Sequence, residues 1–197
     1  VSRKSLIVAS MLAAALFGCG PASAHDVFGN NRSMLTGALH VVTSPLALAA
    51  MGGLIAALMG IGETLSLGCA GVAAVGAAAT AALPGHFAPF AAPAAVVVVG
   101  LSASLGLQPG SVVAAMLALI AGLAAGIATD LDVPSWEGVI GVAGTVLLVI
   151  GGAVAGLDDL SRLPGLARVL PIGRRVLGSW VAAIGLLLGA LALRTAI

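Results

Sequence analysis

The groups in this chain able to take up a cation are few, and three of them are imidazoles. His25, His40 and His86 are the only histidines, and Asp26 stands beside the first. Imidazoles with nearby carboxylates bind borderline cations such as nickel, copper or zinc. A transition-metal ion is therefore the cofactor or cargo to which this set points. The spacing is loose and contains no His-x-x-x-His pair, so three unrelated histidines near a membrane surface are the competing reading. Glu63 is a further candidate. An ionisable group within a membrane marks a pathway, whereas a carboxylate at a helix start is ordinary dipole chemistry. An enzyme is not expected: there is no Gly-x-Ser-x-Gly, Cys-x-x-Cys or Walker sequence and no visible nucleophile–base pair, and few polar groups are left to build one.

The elements that must hold these residues are membrane helices. Of the 197 residues, 60% are hydrophobic and 8% are charged, with a mean hydropathy of +1.21. A soluble domain of this size could not cover its surface with polar groups. In lipid every backbone group must be satisfied internally, which leaves helices or a closed barrel. Barrel strands alternate apolar and polar residues, and the apolar runs here are unbroken. The expected fold is all-α, a polytopic bundle of about six transmembrane helices, near residues 44–60, 64–83, 88–105, 111–128, 138–156 and 176–193. Each approaches the ~20 residues that cross a bilayer. Leu83-Pro84-Gly85 and Gln108-Pro109-Gly110 punctuate the breaks. The 28 glycines suit close helix packing, and Gly122/Gly126, Gly152/Gly156 and Gly185/Gly189 are small-x-x-x-small pairs that serve as packing faces or arise from abundance alone. Pro45 either breaks the first span, opening a polar pocket with Thr43 and Ser44, or sits harmlessly in its first turn.

Residues 1–24 read as a cleavable signal peptide. Arg3 and Lys4 precede the apolar stretch 6–17, and Ala22-Ser23-Ala24 gives the small-x-small site, making His25 the first residue of a single six-helix domain, 25–197. An uncleaved anchor, or a lipoprotein box at Leu16-Phe17-Gly18-Cys19, are the alternatives. Cys19 would leave with the peptide and Cys69 lies in an apolar run, so no disulfide is expected. Cleavage places the new N-terminus, with its α-amino group, in the periplasm of a bacterial inner membrane. Six spans then put the loop 157–175 in the cytoplasm. That loop carries Arg162, Arg168, Arg174 and Arg175, half of the 8 Lys and Arg, as positive-inside bias requires. Asp130, Asp132 and Glu137 fall outside, where His25, His40 and His86 also lie. Arg32 and Arg194 are mild exceptions. Trp136 and Trp180 are expected at span ends, in the headgroup region. The bilayer is the first partner, other membrane proteins docking on Gly/Ala faces are a possible second, and a net charge of +1 gives no footing for nucleic acid.

The chain resembles the HupE/UreJ family of hydrogenase- and urease-associated membrane proteins, regarded as nickel permeases or nickel-handling accessory proteins. The resemblance runs over the whole mature chain, through a leader ending before histidine and six Ala/Gly-rich spans. The family's first-span motif reads Gly-Phe-x-His-Pro-Leu-x-Gly-x-Asp-His-Leu-Leu-Ala-Met. Gly37, His40, Ala50 and Met51 keep its register, while its aspartate and second histidine fall on Leu46 and Ala47. A second signature, His-Gly-His-Ala-His-Gly, aligns with Ala121-Gly122-Leu123-Ala124-Ala125-Gly126: both glycines are kept and all three histidines are replaced. The resemblance implies a six-helix membrane protein handling nickel or a related ion. The departures remove its mid-membrane donors and leave His25, His40 and His86 as outer-face ligands. The alternative is a non-transporting membrane subunit or assembly partner of a larger complex.

Overall fold

The structure, a computed structural model, describes residues 33–83, 87–129, 131, 134–163 and 165–195. Among them there are seven α-helices and no strand: α1 (Met34–Thr43), α2 (Pro45–Leu58), α3 (Glu63–Ala81), α4 (Ala91–Ser104), α5 (Ser111–Thr129), α6 (Trp136–Ser161) and α7 (Leu166–Thr195). The protein is an all-α, multi-pass membrane bundle. α3, α5, α6 and the stretch Arg168–Arg194 of α7 are each long and apolar enough to cross a bilayer. α1 and α2 qualify only as a pair, bent by 76°. α4 has 14 residues and measures about 21 Å at 1.5 Å per residue, against a hydrocarbon core of about 30 Å. By length and composition, four of the described helices are long enough to cross alone, or five with the bent pair, and α4, the third of the six apolar stretches expected, is helical but shorter.

The bend follows from the sequence around Ser44. The residue before a proline is pushed out of the helical region, and Ser44 is extended at φ −82°, ψ 113°. Its backbone N–H still donates to the His40 carbonyl, ending α1, while its hydroxyl accepts from Ala47 N–H, starting α2. Pro45 then occupies the first position of α2, where a missing N–H costs nothing. Both sequence readings of Pro45 therefore hold in part: it sits in a first turn, and the helix pair does break. The hydroxyls beside the break are both engaged: Thr43 donates back to the Leu39 carbonyl at 2.8 Å and Ser44 donates to the Ala128 carbonyl.

The largest departure concerns residues 157–175, expected as a loop. α6 runs on to Ser161 and α7 begins at Leu166, so most of the segment is helical. Pro171 lies inside α7 and leaves one carbonyl without its helical donor, a loss that membrane helices tolerate where neighbours re-satisfy the backbone. Trp180, expected at a span end, consequently stands midway along α7 and is 69% exposed.

α2 is apolar on every side and occupies the centre, with Ala47, Ala50, Met51, Leu54 and Leu58 shut away from the surface, as an all-round apolar helix must be. It touches α4, α5, α6 and α7. Around it, α3 packs on α5 and α6, α4 on α7, and α1 on α6. Glycines set these approaches. A Cβ on Gly122 or Gly126 would overlap the carbonyls of Ala73 or Ala77, and one on Gly185 would lie 2.9 Å from Val97. Those two glycine pairs are packing faces, whereas Gly152 faces open space. Thr80 adds a hydrogen bond across the α3–α5 seam to the Leu123 carbonyl at 3.2 Å. Aliphatic side chains such as Val75, Val112, Leu148 and Leu187 cover the outside, a surface suited to lipid.

Candidate functional site

The helices run up and down, so the turns gather at two ends. One end holds α1, the end of α5 and the start of α6, and His40 stands there. α1 lies flat on α6 because Gly37 meets Gly138 and Gly141 meets the Met34 backbone, leaving no room for side chains. His40 is half-buried in the last turn of α1, with Nδ1 2.9 Å from the Thr36 carbonyl. A ring nitrogen facing a carbonyl must carry the proton, so the lone pair of the neutral imidazole is on Nε2. That is the tautomer in which backbone-anchored metal ligands are held. One turn later, Ser44 Oγ donates to the Ala128 carbonyl at 3.0 Å and ties the break to the end of α5.

Of the three expected metal ligands, the described residues place His40 alone. His25 and His86 lie outside them, as do Asp26, Asp130 and Asp132. No three His, Cys, Asp or Glu come together among the described residues. Glu63 is exposed at the first position of α3, as the helix-start reading required. Cys69 is buried within α3 as a free thiol. At the positions where the resembled motifs carry histidine or aspartate, Ala47, Ala121 and Ala125 are fully packed and Leu46 and Leu123 partly so. The interior at those places is filled by apolar side chains.

Comparison of the chain with protein-family models, with curated proteins and with solved structures finds no match.

The opposite end holds a feature that sequence reasoning missed. A cavity of about 440 Å³ opens between the turn after α2, the α4–α5 loop, the end of α6 and the start of α7. Ile55, Leu58, Ile61, Val154, Leu157 and Leu170 make its apolar wall, and Gln108, Asp158, Arg174 and Arg175 its polar one. Arg174 is only 6% exposed. Its Nη1 donates to the Met59 carbonyl at 3.2 Å and its Nη2 to the Leu107 carbonyl, linking two turns that are far apart in sequence. Its Nε is buried with no hydrogen-bond partner among the described residues. Asp158 is bound by Arg162 one helical turn on, at 2.5 Å. Gly106, at φ +67°, takes a conformation that favours glycine, and a Cβ there would come within 2.7 Å of Arg175 Nε. Glycine thus lets the Arg175 side chain lie against the α4–α5 loop. The sequence signal was the arginine-rich stretch itself, but reading it as a loop hid the burial of one member.

Proposed function

We propose that this chain is a HupE/UreJ-like integral membrane protein that handles a transition-metal ion, nickel being the first candidate, at the end of the bundle that carries His40. The supporting observation is the position of His40 one turn before the break of the α1–α2 pair, with Nδ1 turned to the Thr36 carbonyl and the basic lone pair therefore on Nε2. His25 and His86 are proposed to complete the ligand set. The matching experiment is elemental analysis and nickel titration of the purified mature chain in detergent, beside a His25/His40/His86 triple alanine variant. Stoichiometric metal that the variant loses is expected. Equal metal content in the two proteins, or none in either, would remove this reading.

A second reading has its own observation. Where a permeation path would need donors, Gly122 and Gly126 seal α5 against α3 among packed alanines, and that favours a non-transporting subunit whose scaffold serves a larger membrane complex. In both readings the His40 end faces the periplasm and the Arg174 end the cytoplasm, on positive-inside grounds. Cysteine labelling of intact cells, in a Cys69→Ala background, tests this: Leu163→Cys should stay protected and Val133→Cys should react. The reverse pattern inverts the topology.

A further inference from the structure

We propose that the cavity beside Arg174 binds a phosphate-bearing anion, the chemistry shared by an anionic phospholipid headgroup and free phosphate. Three observations converge on it. The first is charge. Arg174 and Arg175 both line the cavity, and the one carboxylate in its wall, Asp158, is already bound by Arg162. Glu63 begins α3 just beyond Gly62 but does not line the cavity. The wall therefore keeps two positive charges facing aliphatic side chains, and an anion is their complement.

The second is the unpartnered Nε of Arg174. Buried donors are nearly always paired, and an orphaned guanidinium N–H is costly. The two Nη groups of Arg174 are engaged with backbone carbonyls on either side, so Nε is the N–H left over; it lies behind the cavity wall, and a ligand oxygen reaches it only when the side chain shifts. Charge-assisted bonds from guanidinium to phosphate oxygens are short and strong. Arg175, exposed at the rim, and the Gln108 side chain can close on the same group from the loop side. The C-terminal ends of α2, α4 and α6 also meet here and oppose an anion through their dipoles. Arg174 offsets part of that field by occupying the Met59 and Leu107 carbonyls.

The third is size and place. About 440 Å³ is a ligand-sized volume, larger than a bare ion requires. The cavity lies among helix ends, and basic pockets between transmembrane helices suit phospholipid headgroups. The apolar wall from Ile55 to Leu170 would take the glycerol and the first acyl carbons.

The test uses the full chain in non-ionic detergent, stripped of lipid and titrated by native mass spectrometry with phosphatidylglycerol and with phosphatidylcholine. One phosphatidylglycerol per chain is expected, bound about tenfold more tightly than phosphatidylcholine, the effect of one charge-assisted hydrogen bond. Arg175→Gln, at an exposed position that leaves the fold intact, should abolish that preference. Gln108→Trp, which fills the cavity from the loop, should abolish binding while circular dichroism stays unchanged. Displacement of the lipid by inorganic phosphate would identify the free anion as a ligand of the same site, and resistance to it would identify the headgroup. Equal binding of phosphatidylglycerol by the wild type and both variants, or no binding of lipid or phosphate at all, overturns the proposal and leaves Arg174 as a tie between two turns.

Discussion

The two ends of this bundle solve the same problem differently. At the His40 end, α1 and the break that follows it are held by hydroxyl and imidazole bonds, most of them local. Ser33 caps α1, Thr43 turns back to Leu39, His40 to Thr36, and Ser44 serves as the stop of one helix and the start of the next. At the other end local hydroxyl bonds such as Ser66 to Ile61 and Ser161 to Asp158 are joined by one long reach: Arg174 extends from α7 to carbonyls in two separate turns. The first arrangement spreads its polar bonds over many residues and leaves little charge inside. The second concentrates them on one buried cation and leaves a donor over. Local capping fixes a backbone break, whereas a buried guanidinium joins loops and creates a place for a ligand.

This contrast makes unequal demands on mutation. The largest effect is expected from Arg174→Met, which preserves bulk but strands the Met59 and Leu107 carbonyls. Roughly 3 kcal/mol of stability should be lost, read as a shift in equilibrium unfolding in mixed micelles. Ser44→Ala should cost less, about 1 kcal/mol, from the lost cap of α2 and the lost bond to Ala128, since neighbouring hydroxyls still hold the turn. If the serine variant proved as damaging as the arginine variant, the distinction between distributed and concentrated closure would fail.

The sequence carried the bundle well where the apolar runs were clean. The limits expected for α3 and α5 lie within two residues of the observed helices, because Glu63, Leu83, Gly110 and Thr129 mark real changes of environment. It carried the glycine seams at Gly122/Gly126 and Gly185/Gly189 but not the unpacked Gly152, since spacing alone does not say which face of a helix is turned inward. Helix α1 was hidden because Thr36, His40 and Thr43 break its apolar pattern while satisfying themselves within the helix. The beginning of α7 was hidden because Pro171 and three arginines are ordinary loop signals, and only tertiary contacts show that Arg174 points to a packed interior. Hence the cavity, a product of four chain segments meeting, was not legible, while His40 was.

The short helix α4 has a consequence for the membrane rather than for the protein. Val98 and Leu101 face outward from a rod of about 21 Å, and the glycine seam holds it against the much longer α7. A span that short is met by thinning of the adjacent bilayer, by snorkelling of flanking residues or by oligomerisation, and α7 makes no such demand. The cost is a fraction of a kcal/mol per Å of mismatch, carried by one flank of the bundle and not by the other.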